Sequence, residues 1–381
     1  MSEPVDLEAL ARVGLGALVR RQLACGIADP AARPMRVVQI QREHLLLHDG
    51  HQLHRAQAAP ALAHDLAAQH EALAVGDWVL AQPGGAGAWR ITCRLPPGNQ
   101  ITRRTLDSRA GDARRQAQRQ VLVSNVDTAL LVMGLDADFN LRRLERYLAL
   151  TRLAGVAALL LLSKADTVAA ELRDRLVEQA RSVLPAGMPV LALDLRQPEV
   201  VQALAPWLQP GQTLVLLGSS GAGKSTLANS LGAGTASVPD PSTGQQQAQL
   251  TGPARADDSR GRHTTTVRSL LPLPGGACLI DTPGLRALRL DVVESDDLAR
   301  AFGDVAGLAP LCRFRNCQHQ AEPGCAVRVS VDEPRLRNFH KLLREARRDL
   351  LGPVERQAEV ASFKARGRAT RLRMRIKREG A

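Results

Sequence analysis

The chain has 381 residues, long enough for two or three domains with separate cores. A formal net charge of +12 favours a polyanionic partner, while an aromatic content of only 2% argues against a platform that stacks unpaired bases. No apolar run approaches the roughly 18 residues of a bilayer span. Met1-Ser2-Glu3-Pro4 opens neither a basic nor an apolar leader, so no membrane partner is expected and the cytoplasm is the expected compartment.

Residues 1–35 read as an N-terminal extension. Across 36–100, short alternating segments at 36–40, 78–80 and 89–93 are punctuated by Gly50, Gly76 and Pro83-Gly84-Gly85, which suits a small β-barrel. The Ala-rich stretch 56–72 interrupts it as a loop or short helix. Residues 101–120 turn polar and basic, with Arg114-Arg115 and Arg119 near the end, and read as a linker. From 121 to 304, apolar runs at 128–133, 157–162, 190–193, 214–217 and 277–280 alternate with amphipathic helices at 141–153 and 168–184. Such alternation predicts a mostly parallel α/β sheet covered on both faces. Residues 305–352 hold a compact Cys/His segment and a basic amphipathic helix over 334–351, and 353–381 form a basic tail.

Gly218-Ser219-Ser220-Gly221-Ala222-Gly223-Lys224-Ser225 has the spacing of a P-loop, set between an apolar strand and a helix beginning at Thr226. Glycines let successive amides turn toward phosphates, and the helix start adds its dipole. Lys224 bridges the terminal phosphates and the Ser225 hydroxyl ligates Mg2+. Asp281-Thr282-Pro283-Gly284, leaving the apolar run at 277–280, is the companion motif. Asp281 holds Mg2+ through water and the Gly284 amide senses a γ-phosphate.

Upstream, the apolar run at 157–162 leads into Ser163-Lys164-Ala165-Asp166, similar to the guanine-recognition motif of GTPases, with Ser163 in place of the usual Asn. A carboxylate at Asp166 accepts from both N1–H and the exocyclic amine of guanine, a pair adenine does not offer, and the Lys164 stem covers the base. In ordinary GTPases this motif follows the P-loop, whereas here it precedes it. A parallel sheet tolerates that order, because strand adjacency decides where motifs meet.

This order, together with Asn125-Val126-Asp127, the run from Phe139 to Leu148, Gly261-Arg262-His263-Thr264-Thr265-Thr266 and the Cys/His segment, resembles the small-ribosomal-subunit biogenesis GTPases of the RsgA type. The resemblance implies an OB-fold-like barrel at 36–100, a circularly permuted GTPase at 121–304 and a zinc-binding helical module at 305–352. It implies a switch region at 261–266, with Thr264 or Thr265 on Mg2+. Position 285 is Leu, which cannot orient a water by hydrogen bonding, so slow hydrolysis stimulated by the small ribosomal subunit is expected. His263 is the candidate to supply the missing polar group.

Cys312, Cys317, His319 and Cys325 offer three thiolates and an imidazole within fourteen residues, the donor set of one closed structural zinc site. Cys25, Cys93 and Cys278 lie elsewhere and read as small apolar residues. The expected function is thus GTP hydrolysis to GDP and phosphate by a monomer bound to the small ribosomal subunit and its rRNA. The alternative is a zinc-stapled RNA-binding protein whose nucleotide site only gates affinity.

Overall fold

The computed structural model describes residues 5–26, 29–41, 44–106, 117–232, 268–282 and 295–350. In chain order the elements are α1 (Leu7–Ala11), α2 (Ala17–Ala24), β1 (Arg33–Ile40), β2 (Leu45–His48), β3 (Leu53–Ala58), α3 (Pro60–Ala68), β4 (Trp78–Pro83) and β5 (Trp89–Arg94). Then come β6 (Gln100–Leu106), β7 (Ala117–Ser124), β8 (Thr128–Gly134), α4 (Leu141–Leu153), β9 (Ala157–Ser163), α5 (Ala170–Arg181), β10 (Val190–Ala192), α6 (Glu199–Leu204), β11 (Thr213–Gly218) and α7 (Lys224–Ser230). The last are β12 (Ser269–Pro272), β13 (Cys278–Asp281), α8 (Ser295–Ala301), α9 (Gly303–Leu308), α10 (Ala326–Ser330) and α11 (Glu333–Leu350). Two compact units divide the described residues, one within 1–102 and 121–288, the other within 103–120 and 289–381.

In the first unit, β1 to β5 close into a five-stranded barrel: β1 pairs β2 and β4, β2 pairs β3, and β5 pairs both β3 and β4. Alternation along the strands sends Met35, Val37, Leu47, Ala56, Val79, Ala81 and Ile91 into its interior. The stretch at 56–72 contains α3, which starts on Pro60, a residue pre-set for a first helical turn. Residues 1–35 are more than an extension, because Leu10, Val13, Leu15 and Val19 pack on the fully enclosed Trp78 of β4.

Beyond the barrel, β10, β9, β8, β11 and β13 run parallel in that spatial order, with β12 antiparallel beside β13. Every residue of β8 and of β11 is buried. That is why these strands read as unbroken apolar runs rather than alternating ones. β12 also pairs β1, so barrel and parallel strands belong to one continuous sheet. The 101–120 stretch has strand at both ends, where β6 and β7 pair as a two-stranded ribbon.

Where the chain passes from barrel to parallel sheet, Asn125 takes a left-handed φ of +54°. Its side chain accepts from the Gly98 amide at 2.9 Å and donates to the Gly76 carbonyl at 3.0 Å. A side chain at Gly76 would place Cβ 2.1 Å from the Ser124 carbonyl oxygen, so only glycine fits. Asp127 accepts from the Thr213 amide at 2.7 Å, fixing the start of β11 beside β8. The buried Arg36 donates to the Val13, Gly14 and Asn125 carbonyls and lies 5.2 Å from the Trp78 ring centroid. Burial pushes its guanidinium below the usual range.

In the second unit, α11 packs on Phe302, between α8 and α9, and on the start of α9. Phe339 meets Phe302 edge-on at 5.3 Å, and Arg335 forks onto Asp304 while lying over the Phe302 ring. No helix among the described residues is long and apolar enough to cross a membrane.

Candidate functional site

The parallel strands create the site. β8, β9 and β10 spread to one side in chain order, and β11 then returns to the opposite flank of β8, with β13 beyond it. The strand order therefore reverses between β8 and β11, and loops at the C-terminal ends of strands around such a point form a ligand crevice. Into it lead residues 134–140 after β8, 163–166 after β9, 193–197 after β10, 218–224 after β11, and Asp281-Thr282 at the end of β13.

The loop after β11 is shaped by Gly221 at φ +82° and Gly223 at φ +95°. Left-handed residues in a short loop curl successive amides toward one concavity, a shape suited to anions. A Cβ on Gly223 would press on Leu195 Cδ1 at 3.1 Å, but it is the left-handed conformation that calls for glycine. Lys224 Nζ donates to the Gly218 carbonyl at 2.9 Å and the Ser219 carbonyl at 2.5 Å. Ser220 and Ser225 are exposed, and Thr226 is half-buried in the first turn of α7. Asp281 and Thr282 are buried, and Thr282 Oγ1 donates to the Leu216 carbonyl at 2.8 Å.

The segment after β9 stands beside this loop. Ser163 Oγ donates to the Ala222 carbonyl at 2.7 Å, a buried bond across 59 residues of sequence. Serine, standing where the motif usually has Asn, thus holds the glycine-rich loop. Lys164 takes a left-handed φ of +60°, and its Nζ pairs with Asp136 Oδ2 at 2.7 Å. The Ala165 amide donates to the Leu193 carbonyl at 3.4 Å. Asp166 accepts from Arg196 Nη2 at 2.7 Å, while Arg196 Nε and Nη2 also fork onto Asp194 at 2.9 and 3.1 Å. Arg196 and its amide hold the Asp194 carboxyl down at about 2.

Sequence reasoning missed Asp136, Asp138, Arg143 and Arg196. Acidic residues directly after a fully buried parallel strand were the available signal for the first two. His263, Thr264, Thr265 and Gly284 lie outside the described residues.

In the second unit Cys312, Cys317, His319 and Cys325 come together, their ligand atoms all within 4.8 Å of one another. Cys312 Sγ lies 3.9 Å from Cys325 Sγ and 3.6 Å from His319 Nδ1, and Cys325 Sγ lies 3.4 Å from His319 Nδ1. Bonds of about 2.3 Å to sulfur and about 2.0 Å to nitrogen give a tetrahedron S–S edges of about 3.8 Å and S–N edges of about 3.5 Å. Cys312, His319 and Cys325 stand at that spacing and Cys317 lies within 4.8 Å of them, so the cluster could hold one metal ion such as zinc. Glu322 organises the loop by accepting from the Gln318, Gln320 and Ala321 amides, which hold its carboxyl down at about 2. His340 Nε2 on α11 lies 3.0 Å from the His319 carbonyl oxygen, and the Cys325 sulfur caps α10 by accepting from the Arg328 amide.

The RsgA GTPase family model matches residues 103–291. A small ribosomal subunit biogenesis GTPase RsgA of Xylella fastidiosa (strain 9a5c) is 42% identical over 343 residues, covering 88% of this chain and 90% of its own length. Its namesake from Xanthomonas axonopodis pv. citri (strain 306) is 42% identical over 354 residues, covering 90% and 88%. The chain belongs to the RsgA GTPase family. Two solved structures share the fold. YjeQ from Thermotoga maritima has a TM-score of 0.58 at 20% identity, covering 83% of this chain and 98% of its own. YloQ, described as a circularly permuted GTPase, has a TM-score of 0.55 at 19% identity, covering 83% and 95%. RsgA membership favours the enzyme over the alternative of a nucleotide-gated RNA-binding protein.

Proposed function

We propose that this chain hydrolyses GTP to GDP and phosphate in the biogenesis of the small ribosomal subunit, its guanine nucleotide lying across the C-terminal ends of β8 to β11. The observation that carries this reading is the Ser163–Ala222 hydrogen bond, which sets a base-reading segment beside a glycine-rich loop that follows it in sequence. On this reading Gly218 to Thr226 form a P-loop whose amides cradle the phosphates, and Lys224 leaves its loop carbonyls to meet the terminal phosphates. Ser225 and Asp281 hold Mg2+, joined by Thr264 or Thr265, and the Gly284 amide senses the γ-phosphate. Mg2+ held by these residues would supply charge neutralisation to the phosphates. Asp166 accepts from N1–H and the exocyclic amine of guanine, and the Lys164 stem covers the ring.

The relatives' name supports the small ribosomal subunit as partner; contact with its rRNA, a cytoplasmic location and a monomeric state are proposed with it. The remaining parts are read as an OB-type barrel at 36–100, a basic linker at 101–120, the permuted GTPase domain at 121–304, a zinc module at 305–352 and a basic tail. Cys312, Cys317, His319 and Cys325 hold one structural zinc. Leu285 offers no hydrogen bond to a water, so hydrolysis by the free protein is slow, with His263 the candidate to supply the missing polar group.

The test is GTP turnover by the purified chain with and without small ribosomal subunits, with ATP as control. Stimulation of several tens of fold, confined to GTP, is expected. Subunit binding without stimulation would return the protein to the gated RNA-binding reading.

A further inference from the structure

The loop after β8 contributes nothing to the phosphate, base or metal contacts above, yet its carboxylates reach both segments that make them. Asp138 Oδ1 accepts from Ser219 Oγ, in the glycine-rich loop, at 2.5 Å. Its other oxygen accepts from the Gly134 amide at 3.1 Å, and Arg143 Nη2 donates to both its carboxylate and its backbone carbonyl. The Asp138 side chain is only 15% exposed and Arg143 29%, so this pair is better shielded than an ordinary surface ion pair. Asp136 accepts from the Asp138 amide and pairs with Lys164, where the two side chains are 39% and 35% exposed.

Ser219 is therefore held at two points. Its hydroxyl is fixed by Asp138, and its carbonyl takes Lys224. A carboxylate beside a phosphate-binding loop repels a nucleotide unless its charge is matched, and Arg143, anchored on α4, supplies the match. Asn140 caps that helix by accepting from the Arg143 amide at 3.0 Å, so the arginine leaves a fixed first turn. The arrangement spans the point between β8 and β11 where the strand order reverses.

We infer that Asp138, with Arg143 as its counter-ion, is a positioning residue for the phosphate loop: it holds Ser219 and thereby the backbone that carries Lys224. This inference rests on the guanine-nucleotide reading of the crevice. Asp138 touches no phosphate in this role: besides closing its own loop on Gly134 and Arg143, it reaches the phosphate loop through Ser219.

The test is a double-mutant cycle on the full chain, read by titration with fluorescent GDP, with thermal melting of each variant alongside. Asp138→Ala and Ser219→Ala should each weaken GDP binding about tenfold, the loss of one charge-assisted hydrogen bond. The double variant should be no weaker than either single one, because both remove the same link. Asp174→Ala, which opens an exposed ion pair with Arg173 on α5, serves as control and should leave GDP affinity unchanged, alone or combined with Ser219→Ala. Multiplying effects of Asp138→Ala and Ser219→Ala would overturn the inference, as would an Asp138→Ala variant that melts earlier but binds GDP like wild type. A wild-type chain that binds no guanine nucleotide would instead bring down the reading of the crevice and this inference with it.

Discussion

Across the parallel sheet, Leu130, Leu159, Leu214 and Leu279 are each wholly enclosed, and such a side chain contributes about 1.5–3 kcal/mol on burial. The Cys/His loop of the second unit has the opposite profile: Leu311 is 69% exposed and Phe314 42%. Its order comes from four ligand atoms, three amides on Glu322 and a few turns, with little apolar surface removed from water. One region is specified by volume and the other, on the zinc reading, by coordination. Substitutions in the sheet therefore cost according to what they uncover, while in the loop they cost according to whether a ligand is lost.

The sharpest way to break this contrast is to remove the metal. Structural zinc sites of this kind carry an apparent binding free energy of about 10–16 kcal/mol at neutral pH. Chelation, or Cys325→Ser, should release about one zinc per chain by elemental analysis and abolish hydrogen-exchange protection between residues 309 and 331. Protection that survives complete loss of the metal would mean that packing, after all, holds the loop.

Next in size is the polar exception inside the volume-specified region. Arg36→Ala removes the donor to three carbonyls and should cost about 3–5 kcal/mol, a fall in melting temperature on the order of 10 °C. A shift within about 1 °C would show that this guanidinium is no more than filler.

The smallest effect is one of pH. Burial pushes the Asp77 carboxyl up from 3.8 to about 6, against the Ala74 amide and the Arg36 charge. Its native value lies above its unfolded one, so the native state binds the extra proton. Stability from this group is fully present below about pH 4, declines between about pH 4 and 6, and is flat above, a span of up to about 3 kcal/mol. Denaturant unfolding of wild type and Asp77→Asn across that range measures it; the variant should lack this slope.

The parallel strands were legible because burial on both faces writes them as apolar runs, and the Cys/His cluster because ligand chemistry tolerates few other residue types. β2 and β3 were not, since Leu45–His48 and Leu53–Ala58 are short or polar segments whose strand character comes from their neighbours in the barrel. The partners of α1 were hidden for the same reason, as nothing near Leu10 in the sequence points to Trp78. Around the crevice, spacing announced the glycine-rich loop and the Lys-x-Asp segment. Asp138 and Arg196 reach the glycine-rich loop and the Lys-x-Asp segment through residues 81 and 30 positions away, a relation no local pattern carries.

The junction of β1 with β12 is made through the main chain, with Gln39 opposite Ser269. Amide and carbonyl groups are common to nearly all residues, so this seam is indifferent to most substitutions on either side of it. Both sequences can drift freely while the barrel stays fastened to the strand that enters the parallel sheet. Proline alone, lacking the N–H, has the chemistry to unpick it.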